Sequence, residues 1–253
     1  MRKILLGVIC ALTFLLPQVG WTQSAGTNLP PALQAAVMTG NPNAISQAIS
    51  ALSGGNPLRA ASLAHAVTTA AEQMVATNPQ AAISAVQAAV AVVNSQPVLS
   101  SAPQDALLVA VSASRIIVNP AVQQAAPQSV GTLAVQLSQL AATPSVYQAN
   151  PNAAISIMAN AYAAVSSPTV AAASTGAAQQ VVSVLTTAST DPVLVAVSPS
   201  VAAQINTILA DQSSPTNNDE SNNQLEPLFQ QPTVEPVSIP EPNSGGGNSA
   251  SPS

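Results

Sequence analysis

The chain has 253 residues, of which only 5% are charged, with a net charge of −5 and a single cysteine. About a quarter of the residues are charged in an ordinary soluble domain. Nucleic acids and anionic membrane surfaces both select clustered Lys and Arg. The chain has only four basic residues, two of them within its first three positions, so neither partner is expected.

The first predicted element is a secretory signal peptide at residues 1–24. It has a basic start, an apolar core at residues 4–16 and small side chains at Thr22 and Ser24, as a cleavage site requires. The core is too short to cross a bilayer comfortably, which favours a cleaved signal over an uncleaved anchor. No later stretch is apolar enough for a membrane span. We therefore expect an exported protein that is periplasmic, cell-surface or extracellular, with no integral span in the mature chain.

The only cysteine, Cys10, lies inside this signal. Ile9 before it is not the small residue that lipidation requires. The mature chain is therefore expected to lack disulfides and thiol chemistry, so that packing alone holds its fold.

Residues 25–40 are predicted to be an N-terminal lead-in with a short helix, and residues 41–211 a helical domain. Asn, Asp or Ser before Pro favours a helix start, because the first residue can cap the helix and proline needs no hydrogen bond at the first helical position. Ser101 with Gln104 has the spacing of a capping box. Such pairs occur as Asn-Pro at 41–42, 56–57, 78–79, 119–120 and 150–151, as Asp-Pro at 191–192 and as Ser-Pro at 198–199.

Between these pairs the apolar residues are spaced as on one face of a helix. No strand pattern appears, so the sequence predicts an all-α fold rich in alanine. The predicted faces are Ile83, Val86, Val90 and Val93; Ile155, Met158, Tyr162 and Val165; Leu63, Val67, Ala70 and Met74; Leu133, Leu137 and Leu140; and Leu107, Val111, Ser114 and Val118.

Two stretches of the chain resemble each other at a distance of 72 residues. NPQAAISAVQAAVAVV begins at Asn78 and NPNAAISIMANAYAAV at Asn150, and the later prolines correspond as well. We interpret residues 78–149 and 150–211 as two units of a helical repeat array, either a solenoid or an irregular bundle. Residues 41–77 are a partial unit. Such units bury their apolar faces against their neighbours.

Residues 212–253, the C-terminal tail, are rich in Pro, Asn, Ser and acidic residues and are predicted to be disordered, because they cannot bury enough apolar surface. A stretch of apolar residues among prolines, from Leu225 to Ile239, is interpreted as ordinary solvated tail. The alternative is a docking segment in extended polyproline form.

The sequence offers little chemistry. His65 is predicted to face solvent, about 10 Å from Glu72 by helix rise, and two ligands do not make a metal site. Asp105, Arg115 and Asp191 have structural explanations at helix ends. No catalytic or nucleotide-binding motif is present. We therefore expect no catalytic, cofactor or metal residues and no enzyme.

The function that fits these features is that of an exported structural or protein-interaction protein, which associates with itself or with a protein partner. The first alternative is an extracytoplasmic binding module for a peptide or an apolar ligand. The second is an enzyme of unknown type.

Overall fold

The computed structural model describes residues 29–211, and within this range every regular element is a helix. The all-α prediction is confirmed for this part of the chain. The predicted signal peptide and C-terminal tail, including its apolar stretch, lie outside the described residues. The helices are α1 (Pro31–Thr39), α2 (Pro42–Ser53), α3 (Pro57–Met74), α4 (Pro79–Val93), α5 (Gln96–Ser101), α6 (Pro103–Ile117), α7 (Pro120–Ala125), α8 (Pro127–Ala142), α9 (Pro144–Ala149), α10 (Pro151–Ser166), α11 (Pro168–Ala173), α12 (Ala177–Thr190), α13 (Pro192–Val197) and α14 (Val201–Asp211).

All five Asn-Pro pairs and the Asp-Pro pair begin helices, as the sequence predicts. In each case the side-chain oxygen accepts a hydrogen bond from a backbone N–H of the first turn, which would otherwise lack a partner. Asn78 Oδ1 accepts from the N–H of Ala81 at 3.1 Å, and Asn150 Oδ1 accepts from that of Ala153 at the same distance. The two matching caps of the 72-residue comparison are therefore geometrically alike.

Two serines that the sequence places at helix starts lie instead at helix ends. Ser101 is the last residue of α5, and α6 begins behind Ala102, which makes no side-chain cap, so the predicted capping box with Gln104 does not form. Ser198 ends α13, and Pro199 lies in a turn ahead of α14. In both places the serine lies at the end of a six-residue helix, and the next long helix begins shortly afterwards, at Pro103 and at Val201.

From α4 onward, long helices alternate with helices of six residues. The long helices α4, α6, α8 and α10 start at Pro79, Pro103, Pro127 and Pro151, at intervals of 24 residues. The short helices follow the same interval. Their third residue is an aliphatic side chain that is buried in every case: Val98, Val122, Val146, Val170 and Leu194.

The long helices pack in two rows. One row consists of α3, α6, α10 and α14, each in contact with the next, and the other of α4, α8 and α12. Successive long helices also touch across the rows, while α1 and α2 cover α4 at the N-terminal side. The short helices α5, α9 and α13 contact one another in order on the outside, as do α7 and α11.

The core lies between the two rows and consists largely of Ala, Val, Leu and Ile. Helix α4 is buried on most of its surface, and its buried side chains include alanines as well as the predicted face. Burial falls toward the far end, where α12 buries only Ala177, Val181, Leu185 and Ala188. Alanine allows helices to approach closely but buries little area per residue, so a helix such as α4 needs neighbours on several sides.

The predicted apolar faces agree with the structure in most positions. The faces on α4 and α8 are buried completely. On α10, Tyr162 is only half-buried, whereas Ile157, outside the predicted face, is fully buried. On α3, Leu63 and Met74 pack against the core without being fully covered.

Replacing Asn78 or Asn150 with alanine is expected to lower the free energy of unfolding by about 1 kcal/mol in each case, because each change leaves one first-turn N–H without its partner. Chemical denaturation of the two variants measures this. Asn152→Ala, on an exposed position inside α10, is the control and should change stability little. A large loss at one cap and none at the other would contradict the equivalence of the two helix starts.

Candidate functional site

The few charged side chains of the described helices lie mostly at helix ends. Asp105 lies in the first turn of α6 and Arg115 in its last turn, as predicted, where each interacts favourably with the helix dipole. Asp191 caps α13 by accepting from the N–H groups of Val193 and Leu194. Within residues 29–211 no three His, Cys, Asp or Glu side chains converge as a metal site requires.

The only histidine, His65, is half-buried on α3 rather than fully turned to solvent. Its backbone carbonyl accepts hydrogen bonds from the hydroxyls of Thr68 and Thr69 at 2.8 and 3.1 Å. Glu72 lies further along the same helix and is exposed. The sequence placed these two side chains too far apart for one site, and the structure gives no group to join them within the described residues.

Glu72 and Arg115, which the sequence did not connect, line one open cleft of about 270 Å³ between the ends of α3 and α6. Val75, Ile116 and Asn119 complete its wall. Both charged side chains are exposed to water. Charges that are exposed to water interact weakly. The cleft is open and its charged groups remain hydrated, whereas catalytic sites use enclosed pockets and desolvated groups.

A second open cleft, of about 280 Å³, lies at the N-terminal side between α2, α3 and the α4–α5 connection. Its lining is uncharged and combines serine hydroxyls with apolar side chains; examples are Ser46, Ser50, Ile49, Ala60 and Val98. Ser53 in this lining is buried, and its hydroxyl donates to the carbonyl of Ser50 at 3.0 Å. The cleft offers an apolar surface without a charged group to orient a ligand.

Among residues 29–211, Tyr147 on α9 carries the buried polar side-chain atom that lacks a hydrogen-bond partner. Its side chain is fully buried, and its hydroxyl has no hydrogen-bond partner of acceptable geometry among the described residues. Burial raises the pKa of the phenol above its ordinary value, and the side chain of Ser198 offsets part of that rise. The Ser198 hydroxyl itself lies 3.3 Å from that of Ser200.

In the sequence Tyr147 belongs to no motif and to none of the predicted apolar faces, and it stands out only because aromatic residues make up 2% of the chain. Its burial could have been predicted from its position directly after Val146, the buried third residue of a short helix. The corresponding position in the neighbouring short helix α5 is Leu99, also buried. Tyr147 therefore occupies a position that is apolar in α5, one of the short helices that contact α9. Its ring fills this space, and its hydroxyl is buried there without a hydrogen bond to the described part of the chain.

One side-chain hydrogen bond joins the α6 and α10 helices of the first row. Asn160 Nδ2 donates to Ser114 Oγ at 3.1 Å, and Ser114 Oγ donates in turn to the carbonyl of Val111 at 2.8 Å. Ser114 is buried and was predicted to lie on the inner face of α6. This small network orients two helices and contains no group that titrates near neutral pH.

No family model, curated protein or solved structure matches this chain.

None of the helices in the described range combines the length and the hydropathy that a membrane crossing needs.

Proposed function

We propose that the chain is an exported structural protein whose helical region is a repeat array that associates with itself. The observation that carries this proposal is an almost uncharged helical surface. Between Gly26 and Ala210 only five charged residues occur, with a net charge of −1. Surfaces this close to neutral promote association, because little repulsion keeps two copies apart.

Two features support the repeat array. Long and short helices recur at 24-residue intervals, and the 72-residue similarity is three such intervals. The unit we propose is therefore one long helix with its following short helix. Neighbours in one row are then two units apart, so the 72-residue comparison relates helices of opposite rows, α4 and α10.

The hydroxyl groups of the surface support association as well. Several exposed Ser and Thr side chains donate to a carbonyl of their own helix, as Thr186 does to Val182 at 2.8 Å and Thr207 to Ala203 at 3.0 Å. The proton of such a hydroxyl already has a hydrogen-bond acceptor, so the hydroxyl does not need a new acceptor when a partner surface covers it. Threonine also exposes a methyl group. Such a surface can be covered at a smaller desolvation cost than a charged one.

The proposal of export depends on the predicted signal peptide at residues 1–24. The proposed role of the C-terminal tail depends on its negative charge. Five acidic residues lie in residues 212–253. We propose that their mutual repulsion limits association, so that the tail keeps the helical region dispersed at low concentration.

Light scattering over a concentration series tests this function on two chains, residues 25–253 and residues 25–211. Both are expected to associate, the truncated chain at lower concentration. Added salt should weaken the association little, because the contact is mostly apolar. Two monomeric chains at high concentration would contradict the proposal and would favour the alternative of a monomeric binding module.

Sequencing the N-terminus of the exported protein tests the signal: a start at Met1 would contradict its cleavage.

A further inference from the structure

The large apolar side chains that remain exposed on the described helices lie mainly at the two ends of the array. Met38 on α1 and Leu58 on α3 are 57% and 54% exposed, and Val193 and Val197 on α13 are 43% and 39% exposed. Leu108 on α6, 46% exposed, is the one in the middle. Single exposed apolar residues are common, but here most of them lie on helices near the N-terminal and C-terminal ends of the array, namely α1, α3 and α13.

The charges at these ends are opposite. Arg59 follows Leu58 directly and is exposed, whereas Asp191 lies two residues before Val193 and is partly exposed. Of the other charged residues between Gly26 and Ala210, Asp105 and Arg115 lie on α6, and Glu72 lies near the far end of α3, in the cleft that it shares with Arg115. The N-terminal end therefore combines apolar surface with a positive charge, and the C-terminal end combines it with a negative one.

From this complementarity we propose that the self-association is head to tail. The N-terminal end of one copy, with Leu58 and Arg59, packs on the C-terminal end of a second copy, with Asp191, Val193 and Val197. This inference rests on the proposed self-association and specifies its geometry. A contact between two different surfaces leaves one free end on each copy, so it produces open chains or closed rings rather than only dimers.

The apolar side chains supply most of the stabilisation in this contact. Covering the exposed parts of Leu58, Val193 and Val197 removes apolar surface from water, whereas an exposed ion pair such as Arg59 with Asp191 contributes little. The charges set the direction, because two N-terminal ends would bring two arginines together and two C-terminal ends two aspartates. Salt therefore changes the orientation preference more than the affinity.

The test blocks one end at a time in the chain of residues 25–253. Leu58→Glu adds a negative charge that repels Asp191, and Val193→Lys with Val197→Lys adds positive charges that repel Arg59. Each variant alone should need at least about tenfold higher concentration to associate, since 1.4 kcal/mol is a factor of ten. An equimolar mixture should associate again, because each variant retains the end that the other has lost. Sedimentation velocity measures all three samples, and circular dichroism checks that each variant is folded.

Leu108→Glu is the matched control, since it places the same charge on an exposed leucine in the middle of the array. It should leave association unchanged. If the unaltered chain associates and only one of the two end variants is impaired, the contact joins like ends, and the head-to-tail geometry is wrong. If Leu108→Glu alone impairs it, the copies pack side by side. If the unaltered chain stays monomeric, the proposed self-association itself fails.

Discussion

Replacing Tyr147 with alanine is expected to lower the free energy of unfolding of the helical region by about 3–5 kcal/mol, the range seen when a large buried aromatic side chain is removed. Tyr147 is fully buried, and α9 packs against α6, α8, α10 and the neighbouring short helices. The cavity would open where the outer row of short helices meets the long ones. Chemical denaturation followed by circular dichroism measures the change.

Replacing Tyr147 with phenylalanine separates the ring from the hydroxyl. The ring still fills the space, and the hydroxyl that is removed has no hydrogen-bond partner among the described residues. Burying an unpaired polar group costs about 1–3 kcal/mol, so this variant should be at least as stable as the original chain. A clear loss of stability would mean that the hydroxyl has a bonding partner in solution.

The original chain and the Tyr147→Phe variant should also differ in how their free energy of unfolding changes in alkaline solution. Burial raises the pKa of Tyr147 above 10.0 in the folded chain. The unfolded chain therefore releases this proton first as the pH rises. The Tyr147 contribution to stability is fully present below about pH 10 and is lost as the pH rises from there through the raised folded value. The phenylalanine variant should lack this part of the alkaline loss when both chains are denatured at pH 8 and above pH 10.

Helix starts were predictable because they depend on neighbouring residues alone. Asn78 before Pro79 caps its helix by a contact within one turn, and no distant residue is required. The apolar faces of α4 and α8 were predictable for a similar reason, since helical periodicity places Ile83 and Leu133 on the inner side whatever lies opposite.

The short helices were harder to predict. Six residues span fewer than two turns, too few for periodicity to show, and Ser101 and Ser198 at their ends resemble helix starts. The 24-residue interval was missed as well. The short helices differ in sequence and share only one aliphatic position, which is Val98, Val122 and Val146 in the first three of them.

Contacts between distant segments could not be predicted from one sequence. The cleft that brings Glu72 and Arg115 together depends on how α3 packs against α6. The buried hydroxyl of Tyr147 depends on which helices cover α9. The two rows likewise follow from packing, since residues 24 apart lie in opposite rows and the interval alone does not tell which helices touch. The charge pattern, by contrast, is visible in the sequence, and it carries the functional proposal.

Replacing Gly131 with alanine tests the closest approach in this packing. Gly131 lies inside α8 and is buried, and a Cβ placed there would come within 2.5 Å of Ser174 Cβ and closer still to its Oγ. In an exposed helix this change would stabilise by about 1 kcal/mol, because alanine is the better helix former. Here the connection between α11 and α12 must move away, and overpacking of this kind costs about 1–3 kcal/mol. Because 2.5 Å is well inside any normal contact, we expect a net loss of stability.

A double-mutant cycle identifies the cause. Ser174→Gly removes both atoms that meet the new Cβ, and Ala177 Cβ at 3.4 Å is then the nearest group named at this contact. The double variant Gly131→Ala with Ser174→Gly should therefore recover most of the stability that Gly131→Ala loses, giving a coupling energy of about 1 kcal/mol or more. Thr132→Ala, on the exposed side of the same helix, is the control and should change stability by less than about 0.5 kcal/mol. Additive effects of the two substitutions would show that α8 and the α11–α12 connection do not pack this closely. Since α8 and α12 are successive members of one row, that result would also remove a contact on which the proposed array depends.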